Sequence, residues 1–377
     1  MGLRQMMVVA GEASGDSHAA SLITELAKRV PEARFFGMGG PLLEAAGLEC
    51  VYASHEVSVM GISEVLPKLR RIFKVMNGLA QVAARRRPEC AILVDIPDFN
   101  LRLAHRLKQL GIKVVYFVSP MIWAWRKYRI HQIEERVDLM LCILPFEEAL
   151  YRRVGARARY VGNPVLDQLP SAASAAEFRK RLGLPLDRPT LALLPGSRSG
   201  EVQRIFPWMI EATKRVAPQH PGLQVVVPVA PSIPRSELAA ASERAGLQPL
   251  FIDGRAPEVV GASDIAVVAS GTATLETALM NRPLIAVYRV SPISYLVGRL
   301  LVRVPHVSLV NLIAEDRVVP ELLQGKMAPE KLAAALERLW SSPSEQQAMI
   351  RAFERVRRRL GRPGAAARAA EEIVSML

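Results

Sequence analysis

Short apolar or β-branched runs alternate with longer helical stretches along most of the chain. This rhythm limits the fold more than any other feature of the sequence. The first half offers MMVVA (6–10), ARFF (33–36), CAILVD (90–95), KVVYFV (113–118) and LMLCIL (139–144). The second offers TLALLP (190–195), LQVVVPV (223–229), DIAVVA (264–269) and PLIAVY (283–288). Strand-length runs separated by helix-length segments are the signature of parallel βαβ units. Between the halves lies GNPVLDQLPSAASAA (162–176), rich in Pro, Ser and Ala, which reads as a linker. The expectation is an α/β protein of two Rossmann-like domains joined near residue 170. Beyond the last βα unit, Met349, Phe353, Val356 and Leu360 mark one helical face. Ala370, Ile373, Val374 and Leu377 mark another, and Gly361, Pro363 and Gly364 break the chain between them. Both faces need a surface to cover.

At 377 residues, half of them hydrophobic and 23% charged, the chain has the balance of an ordinary globular protein, which excludes a long disordered regulator. A net charge of +13 points to anionic partners: nucleic acid, phosphorylated substrates or an anionic membrane surface. Aromatics are only 6%, and no RNP-like sequence or zinc finger is present, so nucleic acid is not expected. Cys50, Cys90 and Cys142 form no C-x-x-C pair and sit in or beside apolar runs, as buried reduced thiols do. The histidines form no H-E-x-x-H, and neither a metal nor a cofactor is expected. No run is long enough for a signal-peptide core or a spanning helix, which predicts a cytosolic protein or one on the cytosolic face of a membrane.

The chemistry-bearing motifs fall at predicted strand ends, where open α/β sheets bind ligands. The first strand runs into Gly11-Glu12-Ala13-Ser14-Gly15-Asp16, a glycine turn opening a helix. Such a turn exposes N–H groups to an anion or polar ligand, or is simply structural. A second glycine cluster, 37–40, follows the next strand, and neither spells a dinucleotide or Walker motif. CAILVD ends in Asp95-Ile96-Pro97-Asp98, which makes Asp95 a candidate catalytic carboxylate and Asp98 a cleft or helix-capping residue. The spacing is D-x-x-D, not the D-x-D of metal-dependent glycosyltransferases. Trp123, after KVVYFV, reads as a pocket wall or as core. In the second half, Gly196-Ser197-Arg198 offers backbone donors, a hydroxyl and a forked cation, all suited to a diphosphate. Gly271-Thr272-Ala273-Thr274-Leu275-Glu276 opens a helix that could carry phosphate on its N–H groups and ribose hydroxyls on Glu276. Glu276 could equally serve as plain dipole compensation. Two such turns in one domain predict a nucleotide-diphosphate site.

Together the segments resemble the lipid-A-disaccharide synthases, inverting glycosyltransferases of the GT-B type. The resemblance is carried by GEASGD (11–16), GMGGPLLEAAG (37–47), VMGISEVL (59–66), DIPDFN (95–100), YFVSPMIWAWR (116–126), LPFE (144–147), LLPGSRSGEV (193–202), ASGTATLETAL (269–279) and VSLVNLIAEDRVVPELLQ (307–324). Asn163 departs from the His found in many relatives. The resemblance implies two Rossmann-like domains with parallel sheets facing a central cleft. Residues 1–168 would form the acceptor domain, completed by C-terminal helices 345–377, and residues 169–344 the UDP-sugar domain. It also implies the reaction. UDP-2,3-diacylglucosamine would donate its sugar to 2,3-diacylglucosamine 1-phosphate, giving a β-1,6-linked disaccharide 1-phosphate and UDP with inversion.

On the same resemblance Asp95 would be the base and Arg198 would stabilise the leaving diphosphate. Gly196, Ser197, Gly271, Thr272, Glu276 and Asn311 would bind the donor, and Ser14, Gly15, Asp98 and Trp123 would line the acceptor side. Return of the C-terminal helices to a partner chain would give a swapped homodimer. The basic run Arg355, Arg357, Arg358 and Arg359 reads as a solvated helix face. Two basic amphipathic segments are candidates for peripheral contact with the anionic inner membrane. One runs through Ile293, Leu296, Val297, Leu300, Leu301 and Val304, and the other through Leu66, Leu69, Phe73 and Met76. The rival readings are another GT-B enzyme acting on UDP-N-acetylglucosamine, and a basic RNA- or membrane-binding module without catalysis.

Overall fold

The computed structural model describes residues 4–57, 62–124, 128–170, 173–291, 295 and 304–377, without the side chains of residues 13 and 62–68. The chain divides into two compact units, residues 1–167 with 362–377, and residues 168–361. The first unit is built on seven strands: β1 (Arg4–Ala10), β2 (Ala33–Gly39), β3 (Leu48–Ala53), β4 (Cys90–Val94), β5 (Lys113–Phe117), β6 (Leu139–Cys142) and β7 (Ala158–Tyr160). They form one parallel sheet in the order β3-β2-β1-β4-β5-β6-β7. Its helices are α1 (Ala13–Arg29), α2 (Pro41–Ala45), α3 (Ile62–Arg86), α4 (Pro97–Gln109), α5 (Arg129–Arg136) and α6 (Glu147–Arg152). A short helix, α7 (Val165–Gln168), ends it.

Along β1 the side chains alternate between two cores. Met6, Val8 and Ala10 pack with Leu22, Ile23 and Leu26 of α1, while Met7 and Val9 pack with Val75, Met76 and Leu79 of α3. A strand covered on both faces must be apolar throughout, which is why MMVVA shows no period-two alternation.

The second unit repeats the plan with β8 (Thr190–Leu194), β9 (Gln224–Val229), β10 (Leu250–Asp253), β11 (Ile265–Ala269), β12 (Leu284–Tyr288) and β13 (Glu321–Leu323). These strands are parallel, in the order β10-β9-β8-β11-β12-β13. Its helices are α8 (Ala175–Leu182), α9 (Ser199–Val216), α10 (Arg235–Ala245), α11 (Ala256–Ala262), α12 (Thr272–Leu279), α13 (Leu309–Ala314), α14 (Pro329–Trp340) and α15 (Pro343–Leu360).

The C-terminal helices differ from the expectation that both return to the first domain. Only α16 (Ala365–Met376) does so, and it packs on α1. Helix α15 stays on the second unit, where Met349, Phe353, Val356 and Leu360 are buried and the Leu284 N–H donates to the Met349 sulfur. Nor is its basic run a purely solvated face. Arg357 donates to the Leu279 carbonyl, and Arg359 donates to that of Ile313 at 2.5 Å, so both anchor the helix. The return of α16 is locked by local chemistry. Asp167 accepts from the first N–H groups of that segment, at Gly364 and, at 3.0 Å, at Ala365. Arg368 donates to the carbonyls of Val161, Pro363 and Arg362, each at 2.8 Å.

The apolar segment 293–304 lies outside the described residues except at Tyr295 and Val304. On α3, Met76 is core rather than surface, whereas Phe73 is 41% exposed among exposed Arg70, Arg71 and Lys74. No helix among the described residues is long and apolar enough to cross a membrane.

Candidate active site residues on two sheet edges

At the carboxyl edge of the first sheet, β1 pairs with β4 at Ala10 and Val94, so the next residues, Gly11 and Asp95, stand level. The backbone there is strained. Asp95 and Ile96 both have positive φ, 54° and 36°, and Val118 at the end of neighbouring β5 has φ 67°. For non-glycine residues each such conformation costs on the order of 1–3 kcal/mol and persists only where surroundings enforce it. The enforcement is visible. The Tyr116 hydroxyl and the Asn100 amide both donate to the Asp95 carbonyl, and Asn100 also donates to that of Val94. The turn therefore holds a half-buried carboxylate in one place at the strand end.

Gly15 joins this point, since a Cβ on it would lie 3.7 Å from the Asp95 Cβ. Ser14 beside it is exposed. The intervening scaffold is Asp16, 4% exposed, which accepts from the N–H groups of Gly40 (2.7 Å), Leu42 (3.0 Å) and Leu43 (3.3 Å). It thereby ties the two glycine clusters of the sequence together. Asp98 is exposed in the first turn of α4. It pairs with the buried Arg129 at the start of α5.

Trp123 is partly buried, edge-on to Phe146, and its indole N–H donates to Glu147 at 3.1 Å. Glu147 is 1% exposed and also accepts from the Leu144 N–H. Burial pushes its carboxyl up to about 7, against the pull of these donors. Sequence reasoning assigned Glu147 no role. The signal was available, since an acid inside the apolar LPFE segment must find buried donors.

In the second unit β8 and β11 are neighbours, paired at Leu194 and Val268, so Gly196 stands level with Ser270. The two predicted nucleotide turns are thus adjacent at one sheet edge. Gly196 has φ 109°, and a Cβ on it would fall 2.4 Å from the Glu201 carboxylate, so only glycine fits. Ser197 and Arg198 are exposed where α9 begins. Burial raises the Glu201 carboxyl while the positive charges of Arg198 and Arg204 lower it. On the neighbouring turn Gly271 and Thr272 are exposed, and a Cβ on Gly271 would meet open space. Glu276, one turn into α12, has its carboxyl raised by burial. Its carboxylate receives no hydrogen bond from another side chain or backbone N–H among the described residues.

Asn311 differs from expectation. It is fully buried, donates to Val319 and Glu321 (3.0 and 2.9 Å), and accepts from the Val318 and Val319 N–H groups (2.9 Å each). Its amide is consumed in fixing the loop before β13, together with Ser308, which donates to the same Glu321 oxygen. The sequence motif is thus accounted for as a scaffold rather than as a donor contact. Asn163 has a comparable job, donating to Ile143 and accepting from Val165.

The lipid-A-disaccharide synthetase family model matches residues 6–373. The chain belongs to that family. It is 58% identical over 373 residues to the lipid-A-disaccharide synthase of Myxococcus xanthus (strain DK1622), covering 99% of this chain and 97% of the relative. It is 50% identical over 375 residues to that of Anaeromyxobacter dehalogenans (strain 2CP-1), with the same coverage of each chain. Among solved structures it resembles Acinetobacter baumannii MurG, with a TM-score of 0.60, 13% identity and 99% of each chain covered. It also resembles the calicheamicin glycosyltransferase CalG4, with a TM-score of 0.61, 14% identity and coverage of 100% and 98%. These two likenesses establish the GT-B architecture. With family membership, the protein is a glycosyltransferase of lipid A biosynthesis, a lipid-A-disaccharide synthase.

Proposed function

We propose that the enzyme transfers 2,3-diacylglucosamine from UDP-2,3-diacylglucosamine to 2,3-diacylglucosamine 1-phosphate with inversion, releasing UDP. The observation that carries this reading is the family match across residues 6–373, with the strained, pinned Asp95 turn inside it. Asp95 takes the proton from the acceptor hydroxyl as its oxygen attacks the anomeric carbon. The bond from that carbon to the β-phosphate oxygen breaks, and its electron pair leaves with UDP. Arg198, with the N–H groups of the Gly196 and Gly271–Thr272 turns, carries the leaving charge. Glu276 accepts from the ribose hydroxyls. Ser14 and Gly15 line the acceptor side beside Asp95, with Trp123 as a further wall.

The test is mass spectrometry of products from purified protein given both acylated sugars, run with and without excess chelator. The expected result is a tetra-acylated disaccharide monophosphate plus UDP, undiminished by the chelator. Turnover of water-soluble UDP-N-acetylglucosamine alone would overturn the substrate assignment. Dependence on added Mg²⁺ would overturn the role given to Arg198 and the turns.

Two further parts of the proposal concern association. The exposed Phe73 with Arg70, Arg71 and Lys74 forms a peripheral contact with the anionic inner-membrane surface. Exchange of α16 between two copies, which would preserve every contact made by Asp167 and Arg368, would give a homodimer, readable by light scattering.

A further inference from the structure

One cation of the second sheet edge is used neither by the fold nor by the reading above. Strand β12 pairs with β11 at Val287 and Ala269, so two residues on, Arg289 stands level with Gly271, the first residue of the second nucleotide turn. Neighbouring parallel strands lie about 4.8 Å apart, so Arg289 arises one strand spacing from that turn. Its guanidinium carbon lies 3.4 Å from the centre of the Trp208 ring on α9, the helix that starts at Arg198. Stacking on an indole fixes the plane of an arginine fork while leaving its edge N–H groups free to donate. One of those groups is stranded, because Nη1 is buried with no hydrogen-bond partner. No ion pair to Arg289 is recorded among the described residues, and burial pulls its pKa below the ordinary arginine value. The preceding side chain, Tyr288, lies within the fields of Glu201 and Arg198, which puts this strand end beside the first nucleotide turn as well.

A buried, oriented guanidinium N–H without an acceptor is costly in the empty protein and is relieved by an incoming anion. We propose that Arg289 is a phosphate-binding residue of the nucleotide-sugar site in the second unit, held ready by Trp208 and taking a phosphate oxygen of a nucleoside diphosphate. This rests on the reading of the two turns as a UDP site. Arg198 and the turn N–H groups meet the diphosphate from β8 and β11, and Arg289 meets it from β12.

The test is calorimetric titration of the full chain and its Arg289→Met and Arg289→Lys variants with UDP and with uridine. Methionine keeps much of the stacking stem and removes the charge, while lysine restores charge without the fork. Expected is a loss of about 10- to 100-fold in UDP affinity for Arg289→Met, with partial recovery for Arg289→Lys and uridine binding unchanged. Equal UDP affinity in wild type and Arg289→Met would overturn the proposal while leaving the nucleotide site intact. So would a parallel loss for uridine, which would mark a structural role. If Arg289→Met fails to fold, full UDP affinity in Arg289→Lys would count against it. A wild-type protein that binds no UDP would sink the nucleotide reading itself, and Arg289 with it. An unchanged UDP affinity with a raised KM for the acceptor would move the arginine to the acceptor's 1-phosphate and overturn the assignment made here.

Discussion

Asp95 owes its position to backbone strain that Tyr116 and Asn100 hold in place, so its chemistry can be separated from its geometry. Asp95→Asn keeps the shape of the side chain and loses the base. Turnover should fall by about 10² to 10⁴ with the melting temperature and UDP affinity unchanged. A loss of only a few-fold in single-turnover rate would remove Asp95 from the mechanism. Glu147 offers a separate, pH-dependent prediction. Its ordinary value of 4.5 is pushed up to about 7 by burial. Between those values the unfolded chain has released a proton that the folded protein still holds. The folded state binds more protons across that window, so the contribution to stability falls as pH rises from about 4.5 to 7 and is level above it. The slope is at most roughly 1.4 kcal/mol per pH unit. Glu147→Gln has no proton to release. The unfolding free energy of wild type minus that of the variant should therefore decline between pH 5 and 7 in urea titrations, and a pH-independent difference would contradict it.

Helix α16 covers α1 with Ala365, Ala369, Ala370 and Ile373, all fully buried, and Arg29 reaches across to Glu371. Deleting residues 362–377 should strip that cover, lowering soluble yield and the melting temperature of the first unit, while the second unit keeps its own transition. A truncated protein with an unchanged calorimetric profile would refute this. The sequence made the existence of this helix plain and misjudged its companion. Apolar periodicity shows that a face is buried, but not against what, and α15 and α16 carry equally clear faces while packing on different units. The strands divide on the same logic. Every run that reads as a continuous apolar stretch is an interior strand of its sheet. The four strands that the apolar rhythm passes over, β3, β7, β10 and β13, are the four sheet edges. Edge strands are covered less fully, and β10, for example, has no fully buried residue, so nothing demands an apolar run there. At the site, the glycine turns and Asp95 were legible because strand ends and short polar motifs are local. Arg289 was not, because its meaning depends on the register of β12 beside β11 and on a stack with Trp208, 81 positions earlier in the chain.

For the molecule as a whole, a charge of +13 and the exposed Phe73 among cations predict salt-sensitive pelleting with anionic vesicles, reduced by Phe73→Ser. Equal pelleting with neutral vesicles would refute an electrostatic contact. The path of the chain has a different consequence. It leaves the first unit after Asp167 and re-enters it at Arg362, so the second unit is an insertion in the first. A ribosome releases the seven described strands of the first sheet by residue 160, but the helix that closes over α1 follows only at Ala365–Met376. At about 5–20 residues per second, that face waits roughly 10–40 s for its cover. The inserted unit is contiguous and can close its own core meanwhile. A unit begun before the insertion is therefore finished only after it, and during that interval its apolar α1 face is where a chaperone would find its grip.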